Sequence, residues 1–333
     1  MKTILMTAAG NPEVLQLSEL PTPELPDNKH LLVRLHAAGV NPIDTKIRKS
    51  ALFYPNDLPA ILGCDGAGVV ENVGSAVTRF KTGDEIYFCN GGLGREPGCY
   101  SQYTTIHEDF AAYKPKRLSM IEAAATPLVL ISAWEALFNR AGLTEGQTVL
   151  IHAAAGGVGH VAVQLAKYFG IRVAATISND EKAAFAKSMG AELTINYTKE
   201  NVTQAVLDWT RQQGVDAVFD TVGGETFCDS FAAAKVYGKI VTLLQSTCSI
   251  DQLKIARLRN QSIIYELMLT PSLLGMYEAR CAQRKILEAG ARIIDEGKLI
   301  VKISAVLPLD QAAEAHRLIE AGHTTGKIVL QID

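Results

Sequence analysis

Thr148-Val149-Leu150-Ile151-His152-Ala153-Ala154-Ala155-Gly156-Gly157-Val158-Gly159 decides the fold. Its first six residues are a short apolar run of the kind that forms a buried strand. The glycines follow at once, and a helical pattern then runs from Val158 to Phe169, with Gly170 as its stop. A glycine turn between strand and helix is the context a dinucleotide site requires, because side chains there would hold the backbone away from a pyrophosphate. The helix N-terminus adds unpaired N–H groups and a partial positive charge. Ala155, Gly156, Gly157, Val158 and Gly159 are therefore read as the phosphate-binding turn. Ala154 stands where the usual motif has its first glycine, which predicts a slightly different turn, since alanine resists φ > 0.

Downstream, strands and helices alternate. Arg172–Ile177 reads as the second strand, and Ser178-Asn179-Asp180-Glu181 as a capping box opening a helix to Met189-Gly190. Leu193–Ile195 is a third strand and Thr198–Gln213 a third helical segment. Val215–Asp220, ending in Thr221-Val222-Gly223-Gly224, and Lys239–Leu244 complete five strands. Strands separated by helices imply parallel crossovers, hence an α/β fold with a doubly wound parallel sheet. Beyond Pro271, helical patterns at Met276–Glu296 and Asp310–Ala321 flank strands at Val301–Val306 and Lys327–Gln331. Upstream, the first 120 residues are β-rich, with strands at Leu31–Leu35, Val69–Val73 and Glu85–Phe88. Turn clusters such as Pro21–Asn28, Asn41-Pro42 and Thr82-Gly83-Asp84 separate them.

Composition agrees with a two-domain enzyme. The 333 residues are 48% hydrophobic and 20% charged, which excludes disordered, collagen-like and coiled-coil classes. A formal charge of −3 gives no reason to expect a nucleic-acid partner or an anionic membrane surface. The longest apolar stretch, Ala123–Phe138, is broken by Thr126, Pro127, Ser132 and Glu135, so no membrane span is expected. The segment Met1–Met6 is too short for a secretory signal. Six scattered cysteines without a CxxC pair read as free thiols of a reducing cytoplasm.

The end of the second strand selects the nicotinamide cofactor. An acidic residue there binds the ribose 2′-OH of NAD and repels a 2′-phosphate. Ser178 occupies that point, Lys182 follows one helical turn later, and Tyr197 ends the neighbouring strand. A hydroxyl, an ammonium and a phenol suit a phosphate, so NADPH is the expected cofactor. Each also has a plainer reading: Ser178 as a helix cap, Lys182 as a solvated lysine, Tyr197 as cover for the sheet edge. Asp180 keeps NAD open.

The stretch Gly146–Gly159, continuing to Gln164 and Lys167, resembles the signature of the quinone oxidoreductases and zeta-crystallins, zinc-free members of the medium-chain dehydrogenase/reductase superfamily. So do Gly39-Val40-Asn41-Pro42-Ile43-Asp44, the Gly63–Gly74 segment, Gly83-Asp84, Asp216–Gly224 and Gly326-Lys327-Ile328-Val329-Leu330, so the likeness spans the chain. It implies a Rossmann NADP-binding domain (123–267) set between two parts of a β-rich GroES-like catalytic domain (1–122, completed by 268–333). It implies a cytoplasmic homodimer whose substrate and nicotinamide meet in a cleft. Ser178, Lys182 and Tyr197 match positions that bind the 2′-phosphate. Asn41 matches a residue beside the nicotinamide, Gln245 falls where the family often has Asn, and Lys327 falls where related dehydrogenases carry a basic residue facing the cofactor phosphates.

Zinc alcohol dehydrogenases of the superfamily place a Cys near the position of Asn41, a His-Glu pair at the later Gly, and a second Cys before the Rossmann domain. This chain has Asn41, then Cys64-Asp65, and no Cys near Leu128. Catalytic zinc needs three protein ligands and an open position, so the expected metal is none. Without a Lewis acid, the substrate has to spread the charge that hydride addition creates. Quinones and α,β-unsaturated carbonyls do this by conjugation. The expected reaction is hydride transfer from NADPH to such a small-molecule acceptor. Asn41 is read as a donor to the enolate oxygen. Tyr54, in Leu52-Phe53-Tyr54-Pro55, resembles a pocket tyrosine of the family or else packs on its own loop. Asp44 is read as tying down the Asn41 loop. The competing readings are an NADPH-binding protein with little turnover, in a structural, sensing or RNA-binding role, and a zinc-dependent alcohol dehydrogenase.

Overall fold

The computed structural model describes every residue except Pro55 and His323. Pro55 of the Tyr54 stretch and the histidine at 323 therefore lie outside the described residues. The chain forms two compact units, Met1–Leu128 with Leu269–Asp333, and Val129–Met268. The helix Met120–Ala124, at the expected division after residue 122, packs on the strands His30–Val40 and Asp65–Val73 of the first unit.

Val129–Met268 is built on a six-stranded parallel sheet. Its spatial order is Leu193–Asn196, Arg172–Ile177, Thr148–Ile151, Val215–Asp220, Ala234–Thr242, Ser262–Tyr265. Thr148–Ile151 lies at its centre, and Val149, Leu150 and Ile151 are fully buried, as the apolar run requires. The direction of winding reverses between Thr148–Ile151 and Val215–Asp220, which puts the glycine turn at the switch point where such sheets bind ligands. The sixth strand, Ser262–Tyr265, went unread because its residues are half-buried or exposed and lack the signature of a buried parallel strand.

Two further expectations are corrected here. The helix after the second strand is Asp180–Met189, and Asn179, not Ser178, caps it, its side chain accepting from the Lys182 backbone N–H at 2.9 Å. Asn and Ser are comparable caps, and here the cap falls one residue later than expected. Nor are all six cysteines free. Cys228 and Cys248 form a disulfide, leaving Cys64, Cys89, Cys99 and Cys281 as thiols. The bridge joins the helix Gly224–Asp229 to the segment after the strand Ala234–Thr242, within the core formed by Leu150, Val218, Phe227, Phe231 and Ile240. Sequence spacing could not reveal it, because the fold makes the two residues neighbours. The scattered thiols thus no longer argue for a reducing compartment.

The first unit carries a seven-stranded sheet. In spatial order it runs Ile303–Pro308, Lys327–Gln331, His30–Val40, Asp65–Val73, Glu85–Cys89, Ala112–Tyr113, with Tyr103–His107 also paired to His30–Val40. A smaller sheet joins Leu15–Glu19, Lys2–Met6 and Ala60–Ile61. Along His30–Val40, Leu31, Val33 and Leu35 are buried in alternation, and from Ala37 onward every residue is buried. That change carries the end of the strand, and Asn41 after it, into the interior. Ile328 pairs with Val40, and Asp65 with both Gly39 and Cys89. Four strand ends therefore bring Asn41, Asp65, Cys89 and Lys327 together. No helix among the described residues is long and apolar enough to cross a membrane.

The bridge has a direct readout. Thiol titration of the denatured, unreduced protein should give four reactive thiols per chain, rising to all six after reduction. Cys228→Ser should lower unfolding stability by about 3 kcal/mol for a loop of this length. Six thiols without reductant would contradict the bridge.

Candidate functional site

The glycine turn has the geometry of an anion cradle. Gly156 is the N-cap of the helix Gly157–Tyr168. A Cβ on Gly159 would lie 2.3 Å from the Ala153 carbonyl oxygen, so glycine is needed there for the helix to pack against the turn. The left-handed position falls on Ala153, with φ 48°, and not on Ala154. Both residues are tied to the neighbouring strand: the Ala153 N–H donates to Thr176 Oγ1 at 3.1 Å and the Ala154 N–H to the Thr176 carbonyl at 3.1 Å. His152 beneath the turn is buried between Thr176 and Ser230, with Nε2 2.9 Å from Ser230 Oγ. Burial pushes its pKa down to about 4, so it stays neutral and acts as a pin under the turn.

The three proposed 2′-phosphate residues come from adjoining strand ends. Ile177 pairs with Asn196, and the Tyr197 N–H donates to the Ile177 carbonyl at 3.2 Å, so Ser178 and Tyr197 are neighbours. Because Asn179 does the capping, the Ser178 hydroxyl is spared that role. Lys182 is half-buried in the first turn, and among the described residues no carboxylate pairs with its ammonium. The Tyr197 side chain is exposed. Gln245 is exposed in the segment after the fifth strand. The neighbouring turn is held by buried Asp220, which accepts from the Val222 and Gly223 N–H groups and from Thr242 Oγ1. The Gly224 N–H donating to Ser246 Oγ at 2.8 Å joins the two segments.

In the first unit, Asn41 caps the helix Pro42–Ser50 and is almost fully buried. Its N–H donates to Asp44 Oδ2 at 2.8 Å, which also accepts from the Tyr100 hydroxyl at 2.9 Å. Its side-chain amide is fully engaged: Nδ2 donates to Asp65 Oδ2 at 2.9 Å, and Oδ1 accepts from Lys327 Nζ. Lys327 is buried, and its ammonium also donates to the Val40 carbonyl at 3.1 Å and lies 3.6 Å from Asp65 Oδ2. Register with Val40 turns the ammonium into the interior of this unit, onto the Val40 carbonyl and Asn41. Tyr54 is buried as well, with the Gly94 backbone against its phenol oxygen, and burial pushes its pKa up.

Asp65, Tyr100 and His316 belong to this cluster and were not read from sequence as members of it. Tyr100 OH lies 3.3 Å from His316 Nε2, and burial lowers the His316 pKa to about 3. The signals were polar residues inside apolar patterns: His316 sits between Ala312, Ala315 and Ile319 on a helix face, and Asp65 lies within Leu62–Val70.

The ligating atoms of Cys64, Asp65 and Cys89 all lie within 4.8 Å of one another. As a zinc centre the set fits poorly. Both Asp65 oxygens are taken, Oδ1 by the Leu128 N–H at 2.8 Å and Oδ2 by Asn41 and Lys327. The Cys64 thiol is pushed well up, by the neighbouring Cys89 thiol and by burial, where zinc needs a thiolate. A cation already stands on the carboxylate.

Comparison with known proteins adds the following. Residues 27–116 match the family model of the alcohol dehydrogenase GroES-like domain, and residues 189–330 that of a zinc-binding dehydrogenase. The quinone oxidoreductase of Pseudomonas aeruginosa is 34% identical over 330 residues, covering 99% of each chain. A crystal structure of an NAD-dependent alcohol dehydrogenase superposes with a TM-score of 0.90 at 35% identity, covering 100% of both chains. Escherichia coli quinone oxidoreductase complexed with NADPH gives 0.87 at 30% identity, over 99% of this chain and 100% of that one.

Asp44 gives this cluster a pH signature. Burial raises its pKa from 3.8 to about 7, only partly offset by the Asn41 and Tyr100 hydrogen bonds. The folded protein thus holds this proton more tightly than the unfolded chain. The stability it lends is complete below pH 3.8 and lost as pH rises through about 7. Urea unfolding at about pH 5 and about pH 8 should therefore show wild type losing stability relative to Asp44→Asn as pH rises. A pH-independent difference would mean that Asp44 titrates normally.

Proposed function

We propose a function from a settled premise: the chain belongs to the quinone oxidoreductase family of medium-chain dehydrogenases/reductases, and so is an oxidoreductase. The reaction we infer is reduction of a quinone or another α,β-unsaturated carbonyl by NADPH, without a metal. Bound NADPH supplies the hydride. The Ala155–Gly159 turn would hold its pyrophosphate at the helix N-terminus, through N–H groups other than that of Gly156, which donates to the Ala153 carbonyl at 2.8 Å, and Ser178, Lys182 and Tyr197 would hold its 2′-phosphate. Gln245, on the segment tethered to the Gly223-Gly224 turn, would border the nicotinamide end.

The observation that carries the chemistry is the state of Asn41, Tyr54 and Lys327. These are the side chains expected to act on an acceptor or cofactor, and each is buried in protein contacts. Asn41 and Tyr54 therefore serve as walls and positioning groups and not as free donors. A saturated carbonyl reduced in such surroundings would develop an alkoxide with little to stabilise it. A conjugated acceptor delocalises that charge into a phenolate or enolate and can take its proton from water. The protein's work is then to orient the two reactants.

The unit Val129–Met268 also supports a homodimer. Its edge strand Ser262–Tyr265 leaves one side open and exposes Ile263 and Tyr265, with Tyr237 and Leu258 exposed nearby. A twofold axis would set two such edges antiparallel and satisfy both. Light scattering should give the mass of two chains, and Ile263→Lys should shift it toward one. A wild-type monomer at micromolar concentration would remove this part of the reading.

The catalytic reading is tested by following NADPH oxidation with a naphthoquinone, a short enone and the matching saturated aldehyde. The first two should turn over and the aldehyde should not. Lys182→Ala should raise the KM for NADPH about 10- to 100-fold, as for a lost charge-assisted bond, and leave the KM for NADH nearly unchanged. Reduction of the saturated aldehyde alone, or NADPH binding without turnover on any acceptor, would overturn it.

A further inference from the structure

We infer that Lys327 is a built-in cation standing in for a metal: its ammonium keeps the Cys64–Asp65–Cys89 set closed, and without it that set binds a thiophilic divalent ion. Ligands at about 2.0–2.3 Å from a tetrahedral zinc ion lie about 3.5–3.8 Å apart. The three ligating atoms here are within 4.8 Å of one another, so they would draw together by up to about 1 Å to share one ion. Two sulfurs and a carboxylate suit zinc or cadmium better than magnesium or calcium.

What closes the set is charge. The Lys327 ammonium stands 3.6 Å from Asp65 Oδ2 and bonds Asn41 Oδ1, the residue next to that carboxylate. A divalent ion on Asp65 would meet a like charge in a buried setting, where water screens it little. Nor can the ammonium swing aside: Ile328 pairs with Val40, the Val40 carbonyl accepts from Nζ at 3.1 Å, and the side chain is buried.

Removing the positive charge reverses the balance. Asp65 becomes a buried carboxylate whose remaining partners, the Asn41 amide and the Leu128 N–H, are neutral. Two thiols lie beside it. An incoming divalent ion would neutralise the carboxylate and bind the two sulfurs, the protons of Cys64 and Cys89 passing to solvent.

The test is metal uptake, measured without NADPH or acceptor, so its outcome is independent of the proposed reaction. Wild type, Lys327→Met and Lys327→Gln are equilibrated with zinc or cadmium, dialysed and analysed for metal. Thiolate-to-cadmium charge-transfer absorption reports the ligands. Wild type should retain no stoichiometric ion, whereas the variants should retain about one per chain. Adding Cys64→Ser to either variant should abolish retention. Lys327→Gln keeps a donor for Asn41 Oδ1 and carries the test if the Met variant fails to fold. Wild-type retention that Cys64→Ser removes, or folded variants that stay metal-free, would overturn the inference. So would failure of both variants to fold with cadmium as well as without, since the ion should replace the missing charge.

Discussion

A buried ammonium bonded to an asparagine and facing a buried carboxylate is the constraint around which the first unit is organised. Lys327, Asn41 and Asp65 are contributed by three strand ends far apart in sequence, and each is almost fully inaccessible to water. Desolvating such charges is unfavourable, and a buried pair is weak evidence of net stabilisation. Loss of one partner is another matter. It leaves the other charge uncompensated, which typically costs about 3–5 kcal/mol. The arrangement therefore works as a specificity device. It tolerates one register between Lys327–Gln331 and His30–Val40, because a slip of one residue would strand the ammonium or the carboxylate.

The nucleotide-binding unit follows a different logic. Its turn needs no buried charge; it needs backbone without side chains and a helix aimed at an anion. The supporting groups are neutral: His152 is held unprotonated under the turn, and Thr176 ties two turn residues to the adjacent strand. Asp220, at the end of the next strand, turns its carboxylate onto backbone N–H groups and the Thr242 hydroxyl. One unit thus ends its central strand in a turn held by neutral groups, while the other pairs its buried charges with one another.

This contrast explains what could be read from the sequence. The strand–turn–helix unit is local: Thr148–Gly159 contains its own strand, glycines and helix start, so periodicity and spacing locate it within a residue or two. The Val215–Asp220 and Lys327–Gln331 strands were likewise legible, because each is an apolar run between turn residues. The juxtaposition of Asn41, Asp65, Tyr100, His316 and Lys327 was not, because it arises only when distant strands pair. A basic residue in the Gly326-Lys327 stretch looks the same in one dimension whether it faces a phosphate or a carboxylate. The disulfide and the edge strand Ser262–Tyr265 were missed for related reasons: one is a tertiary neighbour relation, the other a strand without a buried face.

The split of the first unit also sets an order of events during synthesis on the ribosome. Val129–Met268 is continuous, so its sheet can close while the remaining residues are still being added. The first unit cannot finish. Until Lys327 leaves the exit tunnel, the His30–Val40 strand lacks its antiparallel neighbour on that side, and Asp65 has no ammonium to face. Residues made late are thus the keystone of the part made first, and a nascent chain stopped short of residue 327 would carry a finished second unit and an unfinished first one.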